Sequence, residues 1–238
     1  MPHVLAFDTS TEAMSIALVT PSADHLVDGE GGARASSRLI PAALALLDRQ
    51  GVSLARLDAI AFGRGPGAFT GLRTACAVAQ GLALGAGKPV LGLDSLMLVA
   101  EQAAGAAGED LELWVAMDAR MDEIYAGCYR RTDGQWRCLV EPLLARVDAL
   151  NARWAEAPPR AVAGSALDVF DGRLQVGTAR RIATPQGRAA ALARLARREW
   201  AAGQTLDAAL ALPVYVRDKV AQTTAEREAA QAAKVAAG

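Results

Sequence analysis

The chain opens on an unbroken apolar run, Val4-Leu5-Ala6-Phe7, closed by Asp8. The polar stretch Thr9–Ala13 separates it from Met14–Val19, where apolar and small polar residues alternate for part of the length. That spacing predicts strand, turn, strand, with residues 24–30 as a third strand. From Ser36 to Gln50 the period becomes helical. Leu39, Ile40, Ala43, Leu44 and Leu47 share one stripe, Arg38 and Arg49 lie opposite, and Gly51 stands where a C-cap belongs. Leu57–Phe62 predicts a buried strand, residues 63–68 a Gly/Pro-rich turn, and Gly71 onward a helix of about four turns. Pro89–Leu93 predicts another short strand, followed by Asp94-Ser95 capping a helix through residue 104.

Gly105–Gly108 is a Gly/Ala patch and a candidate domain boundary. Beyond it, Leu111–Met117, Glu123–Arg130 and Gln135–Val140 predict three strands joined by short turns, repeating the layout of residues 4–30. Pro158-Pro159 stops the chain after a short helix. Residues 188–201 predict an amphipathic helix, with Leu192, Leu195, Ala196 and Trp200 on one side and Arg194, Arg197 and Arg198 on the other. Alternating strands and helices favour an α/β layered fold. The expected division is a first lobe over residues 1–108, to which residues 205–220 return, and a second over 109–204. Residues 221–238 form an Ala/Glu/Gln/Arg-rich tail read as a frayed helix without assigned function.

Hydrophobic residues make up 52% and charged residues 21%, enough to form a core and too apolar for a disordered chain. The 25 basic and 26 acidic side chains give a net charge of −1, which argues against nucleic-acid binding by phosphate neutralisation alone. Three cysteines, Cys76, Cys128 and Cys138, share no C-x-x-C spacing, so reduced thiols are expected rather than disulfides or zinc. The only histidines are His3 and His25, which excludes a histidine-ligated metallopeptidase, and no G-x-S-x-G elbow supports a Ser/His/Asp triad. Asp8 interrupts the apolar N-terminal stretch, and the apolar run between Arg73 and Lys88 is short of the about 20 residues a bilayer needs. A cytoplasmic protein without a membrane span is expected.

The clearest local signal is Gly63-Arg64-Gly65-Pro66-Gly67-Ala68-Phe69-Thr70-Gly71-Leu72-Arg73, between a strand and a helix. Glycines there allow close backbone approach, and a following helix N-terminus suits an anion. Yet the block lacks the Lys of a P-loop, and Ala68 breaks a Rossmann fingerprint. A tight strand-to-helix turn with Thr70 as N-cap is the other reading. Asp8, Thr9 and Ser10 could hold a phosphate or Mg²⁺, or simply bond their own turn. Asp118 and Asp122 flank Arg120, where self-paired turn charges compete with acid–base chemistry.

The helix after the glycine block has an unusual back. Leu72, Ala75, Ala79, Leu82 and Ala83 form its core stripe, whereas Arg73, Thr74, Ala77, Gln80, Gly81 and Leu84 lie on the far side, with Gly85 close by. So small and largely uncharged a face fits either close approach of a second helix or burial within its own domain. The helix at 36–50 shows a milder version, with Ala42 and Ala45 beside Arg38 and Arg49.

Four segments occur in the order found in one family: Ala6–Thr11, the glycine block, Met117-Asp118-Ala119-Arg120, and Pro213-Val214-Tyr215-Val216-Arg217. The chain resembles the TsaB (YeaZ) family of the bacterial tRNA threonylcarbamoyladenosine machinery, from residue 4 to about 220. The resemblance implies an α/β fold of the actin, Hsp70 and sugar-kinase (ASKHA) type, with two related ribonuclease-H-like lobes. It implies a non-catalytic subunit that binds TsaD, the subunit that modifies the adenosine next to the tRNA anticodon. It also implies TsaE, an ATPase, as a further partner, tRNA contact only through the complex, and a homodimer when the chain is alone. The partner or dimer interface then falls on Arg38, Ala42, Ala45, Arg49, Arg73, Ala77, Gln80, Gly81 and Leu84. Asp8, Thr9 and Ser10 become vestigial phosphate-binding residues. No metal and no cofactor of its own is expected, with a nucleotide at an inter-subunit interface left open. Where many relatives carry a His before an Arg-Leu-Leu-Pro step, Ala35-Ser36 precedes Ser37-Arg38-Leu39-Ile40-Pro41, and that segment is assigned no catalysis. The alternative is an ATP-dependent kinase or ATPase of the same fold. Against it, Met117–Asp122 lacks the glycines of a second phosphate loop, and Val162-Ala163-Gly164-Ser165 is a weak adenosine segment.

Overall fold

The structure, a computed structural model, describes residues 2–105, 110–185 and 187–217. The boundary expected at Gly105–Gly108 falls largely outside these residues, and the tail at 221–238 wholly so. Among the described residues, two five-stranded sheets carry the chain. The first is built from β1 (Val4–Asp8), β2 (Ala13–Val19), β3 (Asp24–Glu30), β4 (Ala59–Gly65) and β5 (Val90–Asp94), in the order β3-β2-β1-β4-β5. β1, β2 and β3 form an antiparallel meander, and β4 and β5 continue it in parallel with β1. The second uses β6 (Leu111–Asp118), β7 (Glu123–Thr132), β8 (Gln135–Arg146), β9 (Ala161–Ala163) and β10 (Arg180–Ile182), in the order β10-β9-β6-β7-β8. Read from its own first strand, this is the same order with the same directions. The duplicated ribonuclease-H-like lobe, and with it the ASKHA-type fold, is therefore present.

β1 is buried throughout and apolar up to Asp8, because it is central and covered on both faces. With a period of two, Leu5 and Phe7 point to α1 (Ala35–Arg49) and α2 (Phe69–Ala86), while Val4 and Ala6 point to the opposite layer. That layer is α6 (Ala189–Ala201), whose Leu192, Ala193, Leu195 and Ala196 pack on β1, β2, β4 and β5. The helix expected in the second lobe thus covers the first sheet. The chain has already returned to the first lobe at Arg188, whose backbone N–H donates to Ser15 Oγ and Asp28 Oδ1.

α3 (Ser95–Ala104) lies between the lobes, giving Leu98 to the first sheet and Leu96, Val99 and Ala100 to the second. The far side of the second sheet is covered by α4 (Val147–Glu156) and the short α5 (Ala166–Val169), around Trp114 and Trp154. Glu101 of α3 is 1% exposed and accepts from Arg194 Nε at 2.6 Å, Arg198 NH2 at 2.9 Å and Trp136 Nε1 at 2.6 Å. Burial pushes its carboxyl up, but these three donors outweigh that and hold it below its ordinary value. Arg194 and Arg198, expected on the polar side of an amphipathic helix, turn toward this carboxylate. Along α3 the lobes are also joined by Tyr129, whose hydroxyl donates to Asp94 Oδ2 at 2.7 Å.

Two further expectations change. The core stripe of α1 is Leu39, Ala43, Leu46 and Leu47, whereas Ile40 and Leu44 are 40% and 42% exposed. At 100° per residue those two lie on the flank of the stripe. α2 begins at Phe69, so its N-cap is Ala68 rather than Thr70. Ala68 donates its own N–H to the Ser10 carbonyl, and the helix starts two residues early.

Candidate functional site

Asp8, Thr9 and Ser10 lie at the carboxyl end of β1, where an open α/β sheet offers its ligand crevice. All three are buried. Asp8 Oδ1 accepts from the Ser10 N–H at 3.1 Å and Ser10 Oγ at 2.7 Å, while Oδ2 accepts from Ser95 Oγ at 2.9 Å. Arg188 completes the cluster, 3.8 Å from Asp8 Oδ1 and donating to Ser10 Oγ at 3.3 Å. Burial lowers the Arg188 pKa, against the opposing pull of Asp8.

The glycine block is built against this cluster. Thr9 Oγ1 donates to the Gly71 carbonyl at 2.7 Å. A Cβ at Gly71 would overlap the Thr9 carbonyl oxygen, and one at Gly67 would sit 2.5 Å from the Ser10 carbonyl oxygen. At Gly63 it would overlap Asp8 Oδ2. The side chains are absent so that the strand-to-helix turn can press onto the first hairpin. Room that a phosphate would need beside Thr9 and Ser10 is taken by protein backbone, and the Asp8 oxygens are already engaged. These residues do not fit a nucleotide–metal site. Across the cleft, Arg120, Met121 and Asp122 form the β6–β7 turn with φ of +61°, +55° and +62°. Asp122 is paired with Arg173 at 2.7 Å, and Arg120 with Glu12 at 3.4 Å. Among the described residues, no three His, Cys, Asp or Glu side chains gather as metal ligands. Nor is any described helix long and apolar enough to cross a membrane.

The residues expected on a partner face divide into two groups. Ala77, Gly81 and Leu84 are exposed on α2, with Gly85 beside them, and Leu84 is 62% exposed. A Cβ at Gly81 or Gly85 would meet nothing within 4 Å. On α1, Ala45 and Arg49 are exposed, and Arg38 is paired with Glu30 at 2.9 Å. Three others are engaged within the chain. Ala42 is half-buried against the core. Gln80 Nε2 donates to the Ala211 carbonyl at 3.0 Å. Arg73 lies 3.7 Å over the Phe69 ring and donates to the Tyr215 hydroxyl.

Sequence reasoning missed Ser95 and Arg188, and it marked Arg217 only as the end of the segment Pro213–Arg217. Ser95 reads as part of a helix cap, and Arg188 as the polar start of an amphipathic helix. No local pattern marks either as a partner of Asp8.

Residues 31–161 match the family model described as TsaD, tRNA N6-adenosine threonylcarbamoyltransferase. The tRNA threonylcarbamoyladenosine biosynthesis protein TsaB of Escherichia coli is 33% identical over 233 residues, covering 92% of this chain and 96% of that protein. Two solved structures from Pseudomonas aeruginosa superpose closely. The one called YeaZ has a TM-score of 0.80 at 37% identity, covering 90% of this chain and all of that one. The other, described as an uncharacterized protein with similarity to peptidase YEAZ, reaches 0.82 at 38% identity over 91% of this chain and all of that one. Matched along nearly its whole length in both sequence and fold, the chain belongs to the TsaB (YeaZ) family.

Proposed function

We propose that the chain serves tRNA threonylcarbamoyladenosine biosynthesis as a non-catalytic subunit that docks TsaD through the outward face of α2, flanked by α1. The observation that carries this reading is the exposed, uncharged row Ala77, Gly81, Leu84 and Gly85, with open space over both glycines. Such a row admits a second helix at short range. The engaged Asp8 carboxylate and the filled space beside Thr9 and Ser10 support a subunit without phosphoryl chemistry of its own. TsaE and tRNA then meet this chain only within the assembly, and in the absence of TsaD two copies pair through the same face.

Gly81→Arg tests the reading. The substitution removes a helix glycine at an exposed position where a Cβ meets nothing within 4 Å, so the melting temperature of the monomer should hold or rise. At a close helix contact the same side chain leaves no room and buries an unpaired charge, so co-purification with TsaD should be lost. Ala79→Arg, pointing into the core, is the control and should unfold the chain. Full retention of TsaD by Gly81→Arg refutes the docking face.

A further inference from the structure

The segment Pro213–Arg217 has no part in the docking reading, yet it crosses from one lobe to the other. It is anchored first on the first lobe. Leu206 exchanges two backbone hydrogen bonds with Val90, at 2.8 and 2.9 Å, at the edge of β5. Ala208 and Ala211 are buried against α2, and the Ala211 carbonyl accepts from Gln80 Nε2 and Cys76 Sγ. Val214 N–H donates to the Arg64 carbonyl at 2.6 Å, and a Cβ at Gly65 would lie 2.6 Å from the Val214 carbonyl oxygen. The Tyr215 ring rests 5.0 Å from that of Phe69.

Arg217 then leaves the first lobe. Its NH2 donates to the Ala119 carbonyl at 2.8 Å and to Glu123 Oε2 at 2.8 Å, and reaches the Arg120 carbonyl at 3.5 Å. Its NH1 lies 2.9 Å from Met121 Sδ, and the side chain is 13% exposed. Three of these partners belong to the β6–β7 turn and Glu123 opens β7 directly after it; three successive non-glycine residues of the turn hold positive φ. L side chains disfavour that conformation, so something must hold it. The guanidinium sits on the carbonyls that such a turn presents.

We propose that residues 211–217 are a latch between the lobes, with Arg217 fixing the left-handed β6–β7 turn and so the angle between the two sheets. The contacts along α3, Tyr129 with Asp94 and Trp136 with Glu101, act as the hinge side. The latch ties the lobes at the strand ends that bear the Asp8 cluster, beside the exposed pair of Arg120 with Glu12. The latch is anchored on α2 through Gln80, Phe69 and Arg73, whereas the docking reading rests on the exposed row Ala77, Gly81, Leu84 and Gly85, which the latch does not touch.

Hydrogen exchange on the full chain tests it. The amides of Ala119, Arg120 and Glu123 are bonded within the turn and report its closure. Arg217→Ala should speed exchange over residues 119–123 at least tenfold, with protection in β1, β4, β6 and β7 unchanged. Arg217→Lys keeps one donor group for several acceptors and should give a smaller acceleration at the same amides. A latch opened by Arg217→Ala should also enlarge the radius of gyration in small-angle scattering. Unchanged exchange over 119–123 in both variants overturns the proposal. So does loss of protection throughout both sheets, which would make Arg217 a support of the fold rather than a tie between intact lobes.

Discussion

Gly71 and Gly81 lie in the same helix and should respond to the same substitution with opposite signs. Alanine at either removes a helix glycine, a gain of about 0.5–1 kcal/mol. At Gly81 nothing lies within 4 Å of the new methyl, so Gly81→Ala keeps that gain. At Gly71 the methyl overlaps the Thr9 carbonyl oxygen and comes within 2.9 Å of its carbon, where carbon atoms prefer about 3.5–4.0 Å. The obstacle is backbone, held by Asp8 and Ser10 on one side and α2 on the other, and cannot rotate away. Overpacking costs about 1–3 kcal/mol. Loss of the Thr9 Oγ1 to Gly71 carbonyl hydrogen bond adds about 1 kcal/mol. The net change at Gly71 is then about 1–3 kcal/mol of destabilisation. For a chain of this size one kcal/mol moves the midpoint by about 2–4 °C. Thermal melts followed by far-UV circular dichroism should place Gly81→Ala slightly above the parent and Gly71→Ala clearly below it. A Gly71→Ala protein that melts with or above the parent would refute the close-packed reading of the glycine block.

Glu101→Gln should cost about 3–5 kcal/mol, because Arg194 and Arg198 lose their buried counter-charge. The folded pKa of Glu101 is depressed, so its contribution is complete above the ordinary value of 4.5 and fades as pH falls through the lower folded value. Urea midpoints between pH 3 and 7 should show this loss in the parent chain and lack it in Glu101→Gln. Burial, reinforced by Glu112 and Glu141 respectively, pushes Cys128 up to about 11 and Cys138 up to about 12. Iodoacetamide at pH 7.5 should therefore label both slowly in the native chain and rapidly in urea, and prompt native labelling of Cys138 would contradict the burial argument.

The sheets were legible because their strands are apolar runs bounded by turn residues, and because the meander of residues 4–30 repeats after residue 110. β8 runs to Arg146, beyond the Val140 that its pattern predicts, since Glu141 and Pro142 interrupt the alternation without ending the pairing at an edge. Ile40 and Leu44 show the limit of a stripe drawn from apolar identity, because an exposed Ile and a buried one look alike in sequence. Arg194 and Arg198 show the converse, since helical period cannot separate a solvated charge from one turned toward a buried Glu on another helix. At the site, the glycine block was recognisable but its purpose was not. Whether glycines admit a phosphate or a neighbouring backbone depends on Thr9 and Ser10, more than fifty residues away in the chain. The cluster partners Ser95 and Arg188 are fixed only by tertiary approach.

The helix α6 that covers the first sheet also sets a timetable for synthesis. Val4, Ala6, Ala17, Val19, Ala59 and Ala61 present one continuous apolar face, and α6 with Leu98 of α3 shields it. Between Asp94, where β5 ends, and Ala189, where α6 begins, the ribosome must add the whole second lobe. At roughly 5–20 residues per second, that interval is on the order of 5–20 s. The five strands emerge first, yet the N-terminal layer stays uncovered until the C-terminal helix arrives. The nascent chain would therefore depend on chaperones for that interval, and a fragment ending near residue 105 would expose that surface permanently and aggregate.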